Sequence, residues 1–336
     1  MGFVPLIEVS RGGLPECQHW GAVAVANRQG QVLAQVGDPY VVTFTRSTIK
    51  AFQALPFMQA GGARAQGWGQ GELALLCASH NGEPMHVEQA SRMLASVGQD
   101  YHALRCGCHR PLFAELGLGT LPPGFVPDER HNNCSGKHAG FVAHCVREGL
   151  PLEDHLDPTH PLQVAIRNHV AQAVGLAPDQ LAMGIDGCSA PNYAMPLAHL
   201  ARGYARLAGG APDTDLHESL TTLADAMVAR PELGSGTGRH DLDFMQVGQG
   251  DWVSKTGADG VQVVGSRSRG EAFALKIMDG NMVAQVAAAV EVMDQLGWLD
   301  AGQREALARR RSAHIVNAKG LTVGGRRAVF RLQKAG

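Results

Sequence analysis

Three runs near the C-terminal end decide the fold: Asp251-Trp-Val-Ser-Lys255, Gly260-Val-Gln-Val-Val-Gly265 and Glu271-Ala-Phe-Ala-Leu-Lys-Ile277. They are rich in β-branched and aromatic residues and are separated by Gly-containing breaks, the pattern of an antiparallel meander. A helix is predicted over 281–296, where Val283, Val286, Val290 and Met293 form an apolar stripe. The same strand pattern occurs at the other end. Trp20-Gly-Ala-Val-Ala-Val-Ala-Asn27 turns at Arg28-Gln-Gly30 and returns through Val32-Leu-Ala-Gln-Val36. Tyr40-Val-Val-Thr-Phe44 is predicted to continue that sheet, and a weak last strand is predicted near 326–332. Between the two ends the period changes. Ser47 is predicted as a helix N-cap, with Ile49, Phe52 and Leu55 at helical spacing behind it. Most of 71–230 then reads as helices, among them 84–97, 137–148, 160–174, 196–208 and 213–229. The expected architecture is α/β: one antiparallel sheet from 5–45 and 251–332, flanked by helices, with a helical lobe over about 47–230 inserted between. No repeat or composition break divides the chain, so 1–336 reads as one domain.

Composition narrows the function. The 336 residues carry 29 Lys+Arg against 31 Asp+Glu, a formal net charge of -2. That balance lacks the basic footprint of a nucleic-acid binder. Apolar residues make up 45%, which excludes disorder as the main state. No apolar run reaches the roughly 20 residues that span a bilayer. The first residues carry no basic stretch followed by an apolar one, so no signal peptide is expected. Seven cysteines, an odd number, point to a reducing compartment and a cytoplasmic protein.

Three short motifs could carry chemistry. In Ser47-Thr-Ile-Lys50, residues three apart share a helix face, which sets a hydroxyl beside an amine near free backbone N–H groups. A serine needs such a base to attack at neutral pH. Alone, the motif also describes a capping serine with a solvated lysine. Ser79-His80-Asn81 follows the apolar run Leu73–Ala78 and marks a site edge or an ordinary turn. Lys255-Thr256-Gly257 ends a predicted strand, where the glycine permits close approach. In this order the three match the Ser-x-x-Lys, Ser-x-Asn, Lys-Thr-Gly signature of class A β-lactamases and penicillin-binding proteins. Ser79 follows Ser47 more closely than in that signature, which argues against β-lactam chemistry but leaves acyl transfer by serine and lysine.

A second group pairs His131-Asn-Asn-Cys134-Ser-Gly-Lys137-His138 with Gly184-Ile-Asp186-Gly-Cys188-Ser-Ala-Pro191. Two thiolates from separate loops could hold zinc with further ligands from His131, Lys137, His138 or Asp186, or could be buried and reduced. The spacing fits no zinc finger, and Gly136-Lys137 lacks the first glycine of a P-loop. Cys106-Gly-Cys108-His109 could bind metal or form a redox pair but reads rather as a tight loop. Gly234-Ser-Gly-Thr-Gly238-Arg239 could cradle an anion but, following no clear strand, reads rather as a mobile loop near the site.

Five segments, Arg46–Lys50, Ala78–Gly82, Arg105–His109, His131–His138 and Gly184–Pro191, resemble the rhizobial-type L-asparaginases. The similarity runs from about residue 5 to 332, and Asn-Asn-Cys-Ser-Gly-Lys-His and Gly-Cys-Ser-Ala-Pro are its specific parts. The resemblance implies the serine β-lactamase and glutaminase fold, a homodimer, and hydrolysis of L-asparagine to L-aspartate and ammonia. It implies two Ser–Lys tandems, Ser47 with Lys50 and Ser79 with Lys255, and one Zn2+ held by Cys134, Lys137 and Cys188.

On that basis Ser47 is expected to attack the substrate's side-chain amide while Lys50 takes the proton. Lys255 would keep Lys50 neutral by like-charge repulsion. The N–H of Ser47 and one from the strand after Lys255 would form the oxyanion hole, and Ser79 with Lys255 would pass a proton to ammonia. Arg46 is the candidate for the substrate α-carboxylate. His80, Asn81, His138 and Asp186 are further substrate-binding candidates. The competing readings are a glutaminase or other small-amide hydrolase, and a zinc/thiol redox sensor on an inactive hydrolase fold.

Overall fold

The computed structural model describes residues 2–335. Strands β1 (Val4–Arg11), β2 (Leu14–Asn27) and β3 (Val32–Val36) open the chain, and β4 (Val42–Phe44) follows. Strands β5 (Ala182–Ile185) and β6 (Pro191–Pro196) lie within the helical middle. The meander is β7 (Trp252–Gly257), β8 (Val261–Ser266) and β9 (Glu271–Ile277). The chain closes with β10 (Ala313–Val316), β11 (Thr322–Ala328) and β12 (Gln333–Lys334).

The main sheet runs β10-β11-β1-β2-β9-β8-β7, with β3 paired to β2 and β12 to β3. It is therefore built from both chain ends, as expected. Its centre is the antiparallel pair β2 and β9, in register from Gly21 opposite Ile277 to Asn27 opposite Glu271. Long β2 serves two partners on its other edge: β1 along its first half and β3 at Val23–Ala26. Gly30, at φ +91°, makes the connecting turn that a side chain would strain.

Alternation in β2 divides the core. Ala22, Ala24 and Ala26 face the helical lobe, while Val23 and Val25 face the C-terminal helices Met282–Gln295 and Ala301–Arg311. Both faces are covered there, so Gly21–Ala26 reads as a continuous apolar run. The alanine side lets helix Leu197–Gly209 lie close: a Cβ on Gly265 would come within 2.7 Å of the Tyr204 carbonyl oxygen. Among the described residues no helix is long and apolar enough to cross a membrane.

Several expectations are corrected. Tyr40–Phe44 does not continue the main sheet; β4 pairs with β6 in a separate sheet ordered β4-β6-β5. The lobe is thus not wholly helical. The β5 and β6 runs are too short to show a period against their helical neighbours. The helix Ala301–Arg311 and β10 were not anticipated, because the helix buries only Leu307 and has no apolar stripe. Val283 is 53% exposed and stands outside the stripe that Val286, Val290 and Met293 form.

Candidate active site

Ser47 is not a helix N-cap. Arg46–Ile49 form a 3-10 turn that runs into helix Lys50–Gln53, with no side-chain cap. A 3-10 turn eclipses residues three apart, so Ser47 and Lys50 still leave it on one side. The turn is pinned from several directions. Thr48 Oγ1 donates to the Thr45 carbonyl at 2.7 Å, and buried Tyr204 donates its hydroxyl to the Thr48 carbonyl at 2.8 Å. Arg46 sits in the left-handed region at φ +51°, a conformation that costs a non-glycine residue about 1–2 kcal/mol. Asn192 offsets this by accepting from the Arg46 N–H and donating to the Arg46 carbonyl, each at 3.0 Å.

The expected Ser47–Lys50 pairing is replaced by a crossed one. Lys50 is 1% exposed and its Nζ donates to Ser79 Oγ at 2.9 Å, to the Asn133 carbonyl at 3.3 Å and to the Ala78 carbonyl. Ser79 is brought there by helix Gln70–Leu76, and its N–H donates to the Gly234 carbonyl at 3.1 Å. The Ser47 hydroxyl has no hydrogen-bond partner among the described residues. It lines a cavity of about 500 Å³ together with Ser79, Asn133, Arg239, Thr256 and Gly257. The rest of the lining is mixed: Leu112, Leu116, Leu118 and Met282 stand beside Glu115, Arg309, Arg310 and Arg326.

Lys255 is buried behind that cavity. Its Nζ donates to the Thr256 carbonyl at 3.1 Å and lies 4.0 Å from Asp241 Oδ2. Burial pushes its pKa down to about 7, with Lys50 and Arg239 adding to the effect and Asp241 opposing it. Asp241 itself stays ionised: burial opposes this, but His240, Lys255 and hydrogen bonds from Ser254 and Gln262 outweigh it. Ser254 Oγ donates to it at 2.7 Å, Gln262 at 3.0 Å and the Thr256 N–H at 2.7 Å. Gln285 then donates to Thr256 Oγ1 at 2.8 Å. The Thr256 N–H is therefore committed and cannot serve the oxyanion hole. Asp241, Gln262 and Gln285 were missed by sequence reasoning. Nothing in their local sequence marks them, since they meet Lys255 only through tertiary packing.

The thiol group converges as expected. Cys134 and Cys188 are 5% and 4% exposed, and Lys137 Nζ lies 3.0 Å from Cys188 Sγ. Glycines seat the helix Ser135–Glu148: a Cβ on Gly136 would meet the Leu75 carbonyl oxygen at 2.3 Å. A tight turn with Ser189 at φ +65° presents Cys188. Hydrogen bonding from Cys134, with help from Lys137, lowers the Cys188 thiol although burial opposes it. Burial presses Lys137 toward neutrality, but Cys188 and Cys134 outweigh it and hold its pKa above the usual lysine value. Neither ring nitrogen of fully buried His138 has a partner, and burial pushes its pKa down to about 4. Two soft thiols, an amine and an orphaned imidazole fit zinc chemistry. Among the described residues no three His, Cys, Asp or Glu side chains form a metal site, so this donor set needs the lysine amine.

The remaining candidates separate. Arg46 and Asp186 line a neighbouring cavity with Asp259 and Lys276, not the one holding the serines. There Arg46 Nε donates to Asp186 at 3.0 Å, and its guanidinium also pairs with Asp259. His80 is fully buried, with Nε2 2.9 Å from Ser135 Oγ and Nδ1 accepting from the Gly82 N–H at 3.1 Å. Asn81 is also fully buried and donates to the Thr237 carbonyl at 2.9 Å. His80 and Asn81 thus hold loops, His138 stands by the thiol group, and none of the three lines the serine cavity. The Cys106–His109 loop is structural too: Asn132 donates to the Cys106 carbonyl at 2.9 Å, and His109 Nε2 accepts from the Asn133 N–H at 3.0 Å. The Gly234–Arg239 loop does reach the cavity, through Gly238 and Arg239.

Among solved structures the chain is similar to a β-lactamase from Mycobacterium bovis, at 15% identity over 82% of this chain and 94% of that one, with a TM-score of 0.42. No curated protein matches it. The sequence profile of the L-asparaginase II family matches residues 7–328, nearly the whole length. The buried hydroxyl–amine cluster and the thiol group thus occur in a chain that belongs to the L-asparaginase II family.

Proposed function

We propose that this amidohydrolase converts L-asparagine to L-aspartate and ammonia through an acyl-enzyme on Ser47. The observation that carries the reading is the 2.9 Å bond from Lys50 Nζ to Ser79 Oγ, at the wall of the cavity that Ser47 lines. Ser47 is the nucleophile because its hydroxyl is uncommitted and open to that cavity. Its Oγ attacks the side-chain amide carbon. Its proton passes along Ser79, Lys50 and Lys255, and a proton from this cluster goes to the departing nitrogen as the C–N bond breaks. Lys255, with a pKa near 7, holds a large neutral fraction at neutral pH and can accept a proton there. Water then cleaves the ester and releases aspartate. The Ser47 N–H supplies one oxyanion donor. Ala258, the first residue after β7 and part of the lining of the same cavity, would supply the second. Such donors contribute roughly 3–4 kcal/mol to transition-state stabilisation.

Cys134, Lys137 and Cys188 would hold zinc, and His138 stands beside them. Bound there, the metal would order the loops 131–138 and 184–191 and supply Lewis acidity for orienting a substrate. We read the protein as a cytoplasmic homodimer, supported by its seven free thiols and by the apolar side chains exposed on the small sheet, Val42, Phe44, Met183 and Ile185.

The test is ammonia release from L-asparagine and L-glutamine, followed by mass spectrometry of a rapidly quenched mixture. Turnover of asparagine with an adduct on the peptide carrying Ser47 is expected. An adduct that persists in Ser47→Ala would move the nucleophile to Ser79. Faster turnover of glutamine would make the protein a glutaminase, and bound zinc without turnover of either amide would favour a redox sensor.

A further inference from the structure

Arg46 was the sequence-based candidate for the substrate α-carboxylate, yet Asp186 and Asp259 occupy its guanidinium in a separate cavity. The serine cavity therefore needs another cation. Arg239 lines it beside Ser47 and Ser79. Among the described residues Arg239 forms no ion pair. Its guanidinium makes one hydrogen bond, a long one of 3.5 Å to Asn81 Oδ1. Of the other arginines in the lining, Arg310 is held by Asp243 at 2.7 Å and by the Gly238 carbonyl at 3.0 Å. Arg309 and Arg326 form no ion pair among the described residues either, but they stand on helix Ala301–Arg311 and on β11, outside the segment that carries Ser79. The nearby carboxylate of Asp241 is already filled by Ser254, Gln262 and the Thr256 N–H.

The approach of Arg239 is built, not incidental. Asn81 donates to the Thr237 carbonyl, and Glu83 accepts from the Thr237 N–H at 3.0 Å. Gly236 lies at φ +115°, and a Cβ there would come within 2.6 Å of Asn81 Nδ2. The loop is thus clamped onto the segment that begins with Ser79, so the guanidinium and the Ser79 hydroxyl are positioned by one unit. A half-buried guanidinium without a carboxylate partner favours a carboxylate ligand, which it grips with two parallel N–H bonds.

We infer that Arg239 forms the α-carboxylate subsite of the serine cavity and selects amino-acid amides over amides without that carboxylate. This rests on the asparaginase reading given above. The test compares the wild-type protein with Arg239→Gln and Arg239→Lys on L-asparagine and on β-alaninamide, which is asparagine without its α-carboxylate. Arg239→Gln is expected to raise KM for asparagine about 100-fold, the size of a lost bidentate charged pair, while kcat changes only a few-fold. Compared at a pH above the limb that Lys255 sets, where loss of the Arg239 charge no longer changes its protonation, the rate on β-alaninamide should be the same in wild type and Arg239→Gln. Arg239→Lys should recover part of the lost affinity, which a merely misfolded loop would not allow. An asparagine KM in Arg239→Gln within two-fold of an active wild type would overturn the inference alone, as would a KM loss found in Arg326→Gln instead. Wild-type protein that releases no ammonia from asparagine would overturn the asparaginase reading and the inference with it.

Discussion

Lys50 Nζ lies 2.9 Å from Ser79 Oγ, a side-chain bond between residues 29 positions apart. It joins two sequence motifs into one buried unit. The amine that looks, in the chain, like the partner of Ser47 serves the other hydroxyl, and Ser47 is left open to the cavity.

A shared proton route makes the two serines non-additive. Ser47→Ala and Ser79→Ala are each expected to lower kcat by about 10³-fold, and the double variant by little more than the worse single one. Steady-state ammonia release from L-asparagine measures this. Losses that multiply in the double variant would mean that the serines act on independent steps.

Lys255 sets the acid limb of the pH profile. Its pKa is lowered to about 7, so its neutral, proton-accepting form grows as pH rises through 7. kcat/KM is expected to rise tenfold per pH unit below about 7 and to level off above it. Asp241 opposes the lowering, so Asp241→Asn should move the limb to lower pH. The same variant places an NH2 among donors and should cost about 1–3 kcal/mol of stability, read by urea unfolding. A limb that moves to higher pH would refute the assignment to Lys255.

Metal binding should depend on both thiols. Wild-type protein is expected to carry about one zinc per chain, and Cys134→Ser or Cys188→Ser to carry little, by elemental analysis. Chelation should lower the wild-type unfolding temperature but not that of Cys188→Ser. A wild-type protein isolated without zinc, and unmoved by added zinc or chelator, would count against the site.

The seat of helix Ser135–Glu148 gives a packing test. Gly136→Ala drives a methyl to 2.3 Å from the Leu75 carbonyl oxygen, a backbone atom four residues before Ser79. A destabilisation of about 1–3 kcal/mol is expected by urea unfolding, with loss of activity out of proportion to the folded fraction. Unchanged stability and activity would show that the helix can slide without disturbing the serines.

Much of the fold is legible locally. The alternation of Ala22, Val23, Ala24, Val25 and Ala26 marks a strand and also assigns each residue to one of the two cores. The meander, its helix and most lobe helices follow from periods of two and 3.6 within single segments. The small sheet escaped because β5 has four residues and β4 three. Within the site, Ser47, Lys50, Ser79 and Lys255 were named from motifs and the Cys134–Lys137–Cys188 set from the family resemblance, whereas the bond from Lys50 to Ser79 was not foreseen. Arg239 was placed only in a glycine-rich loop near the site, without a role, and Asp241 was not recognised at all, since a lone acid has no local signal.

Residue order alone determined where backbone hydrogen bonds run along the chain, which faces are apolar, and which hydroxyls, amines and thiols are available. Tertiary structure decided which amine meets which hydroxyl, that Arg239 reaches the cavity free of carboxylates, and how far burial lowers Lys255. The division has a physical cause. Backbone periodicity is set by neighbours within a few residues, whereas the end of a flexible four-carbon lysine stem finds its partner only after distant backbones are packed, and desolvation depends on everything that surrounds it.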